Sequence, residues 1–307
     1  MSMADKQGWI WMDGEWLPWQ NAKVHVLTHS LHYGMGAFEG IRAYETANGP
    51  AIFRLKDHTD RFFDSAHIFK MKIPYDQATL IDVQKEVIAR NNLKACYIRP
   101  LCFLGSEGIG LRADNLSTHV AVAAWEWGAY LGKENLVKGI RAQISSFTRH
   151  HVNVAMCKAK ATGHYINSIL AVQEALACGY DEAILLDAQG YVAEGSGENI
   201  FVIKHGEIAT PQLTSCLNGV TRNTVIHLLR DMGHSVTERP ITRDELYIAD
   251  EVFFTGTAAE VTPVREVDRR QIGDGKRGPI TEKIQSLYFD VVQGKEKKYE
   301  SWLTYVR

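Results

Sequence analysis

Strand-like and helix-like segments alternate irregularly along all 307 residues, and this mixture is the strongest constraint on the fold. It excludes an all-helical bundle and an all-strand sandwich, and its uneven beat is not that of a βα barrel. The stretch 52–71, IFRLKDHTDRFFDSAHIFKM, opens as a short strand and continues as a helix. Leu55, Phe62, Phe63, Ala66, Ile68 and Phe69 form its apolar stripe. Residues 76–92 predict a second helix. Segments 97–105 and 119–127 predict strands, being rich in β-branched and aromatic residues with no helix cap before them. A more polar stretch with three glycines, 128–139, reads as the connection between two domains, after which a strand resumes at 140–147. Thr162 is placed to cap a helix through Tyr165, Ile169, Val172 and Leu176 that stops at Gly179. Residues 182–203 read as strand, Gln-Gly turn, strand, loop and strand. A helix is expected at 221–233, a capping box at Thr242 and Glu245, and a strand-turn-strand at 251–264. The expected fold class is α+β (mixed α/β), with a domain over 1–130, a connection over 131–138 and a second domain over 139–307.

Composition narrows the function classes. A net charge of -2 gives no basic excess for nucleic acid or an anionic membrane. No apolar run is long enough to span a bilayer, and the first residues, MSMADKQGWIWMDGEW, lack the basic-then-apolar order of a signal peptide. Cys96, Cys102, Cys157, Cys178 and Cys216 are an odd, sparse set without C-x-x-C, which reads as reduced thiols of a cytoplasmic protein.

Common motifs fail on inspection. GSEGIG (105–110) does not have the G-x-G-x-x-G order, GAYLGK (128–133) is one residue short of a P-loop, and GSG (195–197) lacks the full nucleophile elbow. His25, His29 and His32 have a ligand-like spacing but no glutamate or cysteine partners, so no metal site is expected.

Six pieces in order do carry a signal. KAKATGHY (158–165), DAQGYVAEGSGENIFVI (187–203), GVTRNTV (219–225) and FFTGTAAEVTPV (253–264) resemble the class IV pyridoxal-phosphate aminotransferases. HYGMGAFEGIRAY (32–44) and YIRP (97–100) resemble the branched-chain amino acid aminotransferase branch of that family. The resemblance covers nearly the whole chain. It implies a small N-terminal α/β domain and a larger C-terminal domain with a barrel-like sheet and flanking helices, the cofactor lying in the cleft between them.

Transamination requires a lysine that holds the cofactor aldehyde as a Schiff base and then shuttles a proton. By resemblance to K-A-x-G-x-Y that residue is Lys160; Lys158 is the rival, without a tyrosine five residues on. The ring nitrogen requires a carboxylate beside it to stay protonated. The resemblance assigns this to Glu194 and leaves Glu198 a structural part. Tyr165 would face the ring hydroxyl, Leu217 the ring, and Arg61, Val220, Thr221 and Thr257 the phosphate, with helix N-terminal amides assisting. Asn218 stands where some relatives have proline, which alters the turn and not the chemistry.

On the substrate side the resemblance implies an apolar wall of Phe38, Trp127 and Tyr130. Tyr97 and the Thr257, Ala258 and Ala259 amides would grip the α-carboxylate, and Arg99 would meet the glutamate side chain. Tyr33 would contribute across a subunit boundary. The loop 105–115 matches the family only partly, at LRAD. The implied activity is reversible transfer of the amino group of leucine, isoleucine or valine to 2-oxoglutarate by a homodimer or a larger homo-oligomer such as a hexamer. D-amino acid aminotransferase, (R)-amine transaminase and aminodeoxychorismate lyase share the fold and are the alternatives. A non-catalytic binding protein of this fold would be expected to lack Lys160 or Glu194.

Overall fold

The computed structural model describes residues 2–128, 131–132 and 134–306. The chain forms two compact units. The first comprises Met1–Trp127, Ala159–Gly163 and Val291–Arg307, and the second Gly128–Lys158 and His164–Asp290.

The first unit contains β1 (Trp9–Met12), β2 (Glu15–Pro18), α1 (His29–Tyr33), β3 (Gly36–Phe38), β4 (Ile41–Thr46), β5 (Gly49–Phe53), α2 (Leu55–Ile68), α3 (Gln77–Arg90), β6 (Cys96–Leu104) and β7 (Thr118–Trp125). Its eight-stranded sheet is antiparallel throughout. The tight β1–β2 turn places Asp13 and Gly14 at positive φ, the conformation that suits a two-residue hairpin loop. The C-terminal strand Leu303–Tyr305 closes the far edge, Leu303 standing opposite Phe53.

Helix α2 starts after Arg54, as its periodicity predicts, but it buries a different set of residues. Leu55, Phe62 and Ala66 go inward, together with the polar His58, Thr59 and Ser65. Ile68 is exposed and Phe63 and Phe69 are only half-buried. Helix α3 is capped by Asp76, whose carboxylate accepts from the Thr79 amide. Its Leu80, Val87 and Ile88 join Ile41, Ile52, Phe62, Ile98 and Val122 in one core. Each such fully buried side chain stabilises the fold by about 1.5–3 kcal/mol.

The second unit contains α4 (Asn135–Lys138), β8 (Ile140–Ile144), α5 (Val152–Ala155), α6 (Tyr165–Ala177), β9 (Glu182–Leu186), β10 (Val192–Gly195), β11 (Asn199–Lys204), β12 (Glu207–Thr210), α7 (Val220–Asp231), β13 (Val236–Glu238), α8 (Arg243–Tyr247), β14 (Glu251–Gly256), β15 (Glu260–Val267), β16 (Arg270–Gln271) and α9 (Pro279–Val292). Its nine-stranded sheet runs β10-β9-β8-β15-β14-β11-β12-β13, with β16 paired to β15. The β8–β9 and β12–β13 pairs are parallel, joined through α6 and α7 respectively. The capping box at α8 is present, Thr242 with Glu245. Glu251 on β14 holds the start of α9, accepting from the Ile280 and Thr281 amides and the Thr281 hydroxyl.

Helix α6 departs from expectation at its start. Residues 162–164 form a separate 3-10 turn, and no side chain caps α6. Thr162 donates its hydroxyl instead to the Gly34 carbonyl at 2.7 Å, a tertiary bond that outcompetes local capping. The buried face of α6 is Ser168, Ala171 and Ala175, small enough to lie close on β9. Ile169 and Leu176 are exposed.

His150 is held neutral. Burial, with the nearby Arg149 and His164 charges, pushes its pKa down to about 4. The unfolded chain takes up this proton near pH 6.5 while the folded chain refuses it. The stability due to His150 is therefore complete above pH 6.5 and lost as pH falls from 6.5 toward 4. His150→Gln is expected to flatten the decline of Tm across that window, read from melting curves of both proteins at a series of pH values.

Among the described residues no helix is long and apolar enough to cross a membrane, and no His, Cys, Asp and Glu side chains converge as metal ligands. His29 donates from Nε2 to the Gly110 carbonyl and His32 from Nε2 to that of Val26, while His25 accepts from the Leu27 amide.

Candidate active site

In the first unit the lysine segment is fixed by its main chain. The Lys160 amide donates to Ser65 Oγ at 2.9 Å, and its carbonyl accepts from the Phe38 amide at 3.0 Å. Ala161 bridges Ala37, and the Gly163 amide reaches the Gly34 carbonyl. Lys160 Nζ stands 4.9 Å from the centre of the Phe38 ring.

Lys158 is placed otherwise. It belongs to the second unit, where its ammonium donates to the carbonyls of Leu213 and, at 3.1 Å, Cys216. That ties down the loop leading to Leu217.

Arg99, on β6, lies among aromatic rings. Its guanidinium is 4.5 Å from the Phe38 ring and 5.3 Å from the Tyr97 ring, and Nη2 donates to Tyr97 Oη at 3.4 Å. Arg99 Nε is buried with no hydrogen-bond partner among the described residues. An unmet buried donor costs about 1–3 kcal/mol. Tyr97 is buried with Trp127 edge-on at 4.6 Å. Gly40 leaves room for it: a Cβ there would lie 1.8 Å from Tyr97 Oη.

Arg61, read from sequence as a phosphate ligand, pairs with Glu39, Nε to Oε1 at 2.7 Å. Tyr33 is exposed on α1 with its ring 4.5 Å from that of His29. Tyr130 lies outside the described residues. The first unit thus gathers Phe38, Arg61, Tyr97, Arg99, Trp127 and Lys160.

The second unit holds the rest of the set. Glu194, on β10, is buried beside Arg149, with Oε1 2.7 Å from Nε. Its Oε2 accepts from the Leu217 amide at 3.1 Å. One carboxylate therefore orients the residue expected on the ring face. Asn199 Nδ2 donates to the Leu217 carbonyl at 3.0 Å, and a Cβ on Gly219 would lie 2.0 Å from Asn199 Oδ1. A larger residue there would push Asn199 off the Leu217 carbonyl. Helix α7 has no side-chain cap, so the first amides after Gly219, those of Val220 and Thr221, form an uncapped helix N-terminus. Thr257, Ala258 and Ala259 make the β14–β15 turn, two residues beyond a buried Thr255 hydroxyl that lacks a partner among the described residues. Tyr165 opens α6. Glu198 folds back on its own loop and accepts from the Gly197 amide.

Sequence reasoning passed over Glu39, Ser65 and Arg149, and used His58 only as the first letter of the H-x-x-R pattern that marks Arg61. Only Glu39 gave a local signal: an acid in the apolar string GAFEGI.

Residues 36–267 match the profile of the family described as amino-transferase class IV. The chain belongs to that family. A branched-chain-amino-acid aminotransferase of Pseudomonas aeruginosa (strain PAO1) is 60% identical over 307 residues, covering 100% of both chains. The solved structure of a T.th. branched-chain amino acid aminotransferase with pyridoxamine 5'-phosphate is 51% identical. It superposes with a TM-score of 0.96, covering 98% of this chain and 99% of the other. The same enzyme complexed with N-(5'-phosphopyridoxyl)-L-glutamate gives a TM-score of 0.95 at 51% identity, with the same coverage. The fold is accordingly the mixed α/β fold of class IV, a curled half-barrel sheet with helices.

The family cofactor, pyridoxal 5'-phosphate, fits the residues present. An uncapped α7 N-terminus suits a phosphate, and a buried carboxylate with fixed oxygens suits a protonated ring nitrogen. A lysine held by its main chain suits an aldehyde.

Proposed function

We propose that this chain is a branched-chain L-amino acid aminotransferase. It moves the amino group of leucine, isoleucine or valine to 2-oxoglutarate, giving the branched 2-oxo acid and L-glutamate. The observation that carries this reading is Arg99, a cation with a buried unmet donor, set between the rings of Phe38 and Tyr97. A wall of that kind accepts an aliphatic side chain against its rings and the second carboxylate of glutamate at its guanidinium. No purely apolar pocket serves both partners of the exchange.

When bound, pyridoxal phosphate supplies the electron sink that stabilises negative charge at the substrate α-carbon. Lys160 Nζ would take the proton from the α-carbon of the amino donor and pass it on to the cofactor side, and in the second half-reaction would deliver a proton to the α-carbon derived from 2-oxoglutarate. Glu194 holds the ring nitrogen in its protonated form, and Arg149 and the Leu217 amide fix the carboxylate for that task. Arg61, Val220, Thr221 and Thr257 hold the phosphate, and Tyr165 faces the ring hydroxyl. Tyr97 with the Thr257, Ala258 and Ala259 amides grips the α-carboxylate, while Phe38, Trp127 and Tyr130 enclose the side chain.

The chain works as a homodimer or a larger homo-oligomer, Tyr33 serving the partner's site. Its exposed position on α1, among the exposed Val26, Leu27 and Leu31, supports that assignment. Five free thiols, four of them buried, support a reducing cytoplasmic setting.

One absorbance experiment tests the substrate class. The holoenzyme is expected to lose its visible band on addition of L-leucine alone and to keep it with D-alanine. A band indifferent to L-leucine would move the chain to the D-amino acid, amine or lyase branch of the family.

A further inference from the structure

Behind Arg61, in the first unit, lie two partners, Glu39 and His58, to which no role has yet been given. Glu39 stands at the end of β3, held by its amide on the Pro100 carbonyl at 2.9 Å. Its side chain is 0% exposed. His58 and Arg61 lie one turn apart on α2 and converge on it. Glu39 Oε1 accepts from Arg61 Nε at 2.7 Å. Oε2 accepts from Arg61 Nη2 at 2.9 Å, from His58 Nδ1 at 2.8 Å and from the Gly40 amide at 3.2 Å. His58 is itself 2% exposed.

Stability alone does not account for such a cluster. Removing these charges from water is costly, and apolar residues of similar volume would serve a core as well. The two-point pairing instead fixes a plane. The Nε–Nη2 edge of the guanidinium lies flat against the carboxylate, so its outer edge, Nη1 and the second Nη2 proton, has one orientation only. His58 and Gly40 fix the carboxylate in turn.

We propose that Glu39 is a positioning residue for the phosphate of the cofactor: it clamps the inner edge of Arg61, backed by His58, so that the outer edge meets the phosphate in a single geometry. The inference rests on the assignment of Arg61 to the phosphate. It adds that the fork, and not the net charge, is what Arg61 contributes, because Glu39 already offsets that charge. Burial alone would raise the Glu39 pKa, but the Arg61 charge and the hydrogen bonds from His58 and Arg61 hold it well below the usual carboxylate range. The clamp is therefore ionised at neutral pH. Glutamine at this position would turn an amide nitrogen toward one of the two Arg61 donors and release the plane.

The test uses the full chain freed of cofactor, titrated with pyridoxamine 5'-phosphate and, separately, with pyridoxamine. Binding is followed by quenching of tryptophan fluorescence. Glu39→Gln is expected to weaken pyridoxamine 5'-phosphate about tenfold or more, the effect of disordering charge-assisted hydrogen bonds. Pyridoxamine, which lacks the phosphate, is expected to bind within about twofold of wild type. Equal weakening of both ligands, or no change in either, overturns the proposal, since a merely structural carboxylate does not distinguish them.

Arg61→Lys keeps the charge and loses the fork, so it separates the two layers of the argument. If it binds pyridoxamine 5'-phosphate like wild type, charge alone serves and the clamp falls; the assignment of Arg61 falls only if Arg61→Met, which removes the cation, also binds the phosphate ligand like wild type. If it is weakened selectively but adding Glu39→Gln causes a further full loss, the clamp falls and Arg61 stands. Should Glu39→Gln fail to fold, Glu39→Asp retains the charge and withdraws it by one methylene. A smaller loss selective for the phosphate ligand is then expected, and a loss shared by both ligands overturns the proposal.

Discussion

Lys160→Ala is expected to abolish turnover of L-leucine and 2-oxoglutarate, lowering kcat by about four orders of magnitude, the upper range for removal of an acid-base group. The fold should persist, because alanine retains the amide and carbonyl bonds that seat this residue on Ser65 and Phe38. The purified variant should also lack the visible band that borohydride abolishes in the parent. Lys158→Ala is expected to keep that band. Its cost falls on the loop whose carbonyls, at Leu213 and Cys216, receive the ammonium, and appears as a Tm lower by a few degrees. The pair of spectra decides between the two lysines. A borohydride-sensitive band in Lys160→Ala and its loss in Lys158→Ala would reverse the assignment.

Glu194→Gln is expected to lower kcat by about 10²–10³, the range seen when one preorganised electrostatic group is removed from a reaction centre. Glutamine keeps the size of the side chain but removes the charge that Arg149 faces and turns an amide nitrogen toward Arg149 or the Leu217 amide, so Tm should also fall, by less than for alanine. Glu194→Ala adds a second penalty. Arg149, 8% exposed, would lose the carboxylate it faces at 2.7 Å. Stranding a buried charge costs about 3–5 kcal/mol, which a thermal melt reads directly. A Glu194→Gln enzyme with the parent kcat would remove Glu194 from the chemistry and leave it a structural partner of Arg149.

A local cause made several elements legible, although the β1–β2 hairpin around Asp13 and Gly14 and helix α9 went unread. Asp76 before α3, the Thr242–Glu245 box before α8 and the strand-turn-strand around Thr257 follow from caps and alternation within a few residues. The start of α6 was not legible, since Thr162 spends its hydroxyl on Gly34, more than a hundred residues away in sequence. Nor was the inner face of α6, where small residues pack closely and larger ones stay out. The chemical residues divide in the same way. Lys160 and Glu194 sit in dense local motifs. Their supports do not: Ser65, Glu39, His58 and Arg149 are ordinary letters until folding brings them to Lys160, Arg61 and Glu194. An apolar stripe on α2 hides His58, Thr59 and Ser65, because periodicity scores hydrophobicity and is silent about a polar group with a distant partner.

The strand that closes the first sheet has a consequence for how the protein is made. Phe53 faces Leu303, and about 250 residues separate them. At roughly 5–20 residues per second, a ribosome takes between about ten and fifty seconds to cover that interval. Throughout it, β5 exposes an unpaired edge, the part of a nascent sheet most apt to recruit a neighbour on a crowded polysome. The Lys160 segment arrives late too, so vectorial synthesis cannot finish the N-terminal fold first. Shielding of that edge by a chaperone should therefore affect the yield of this protein more than that of one whose domains are contiguous in sequence.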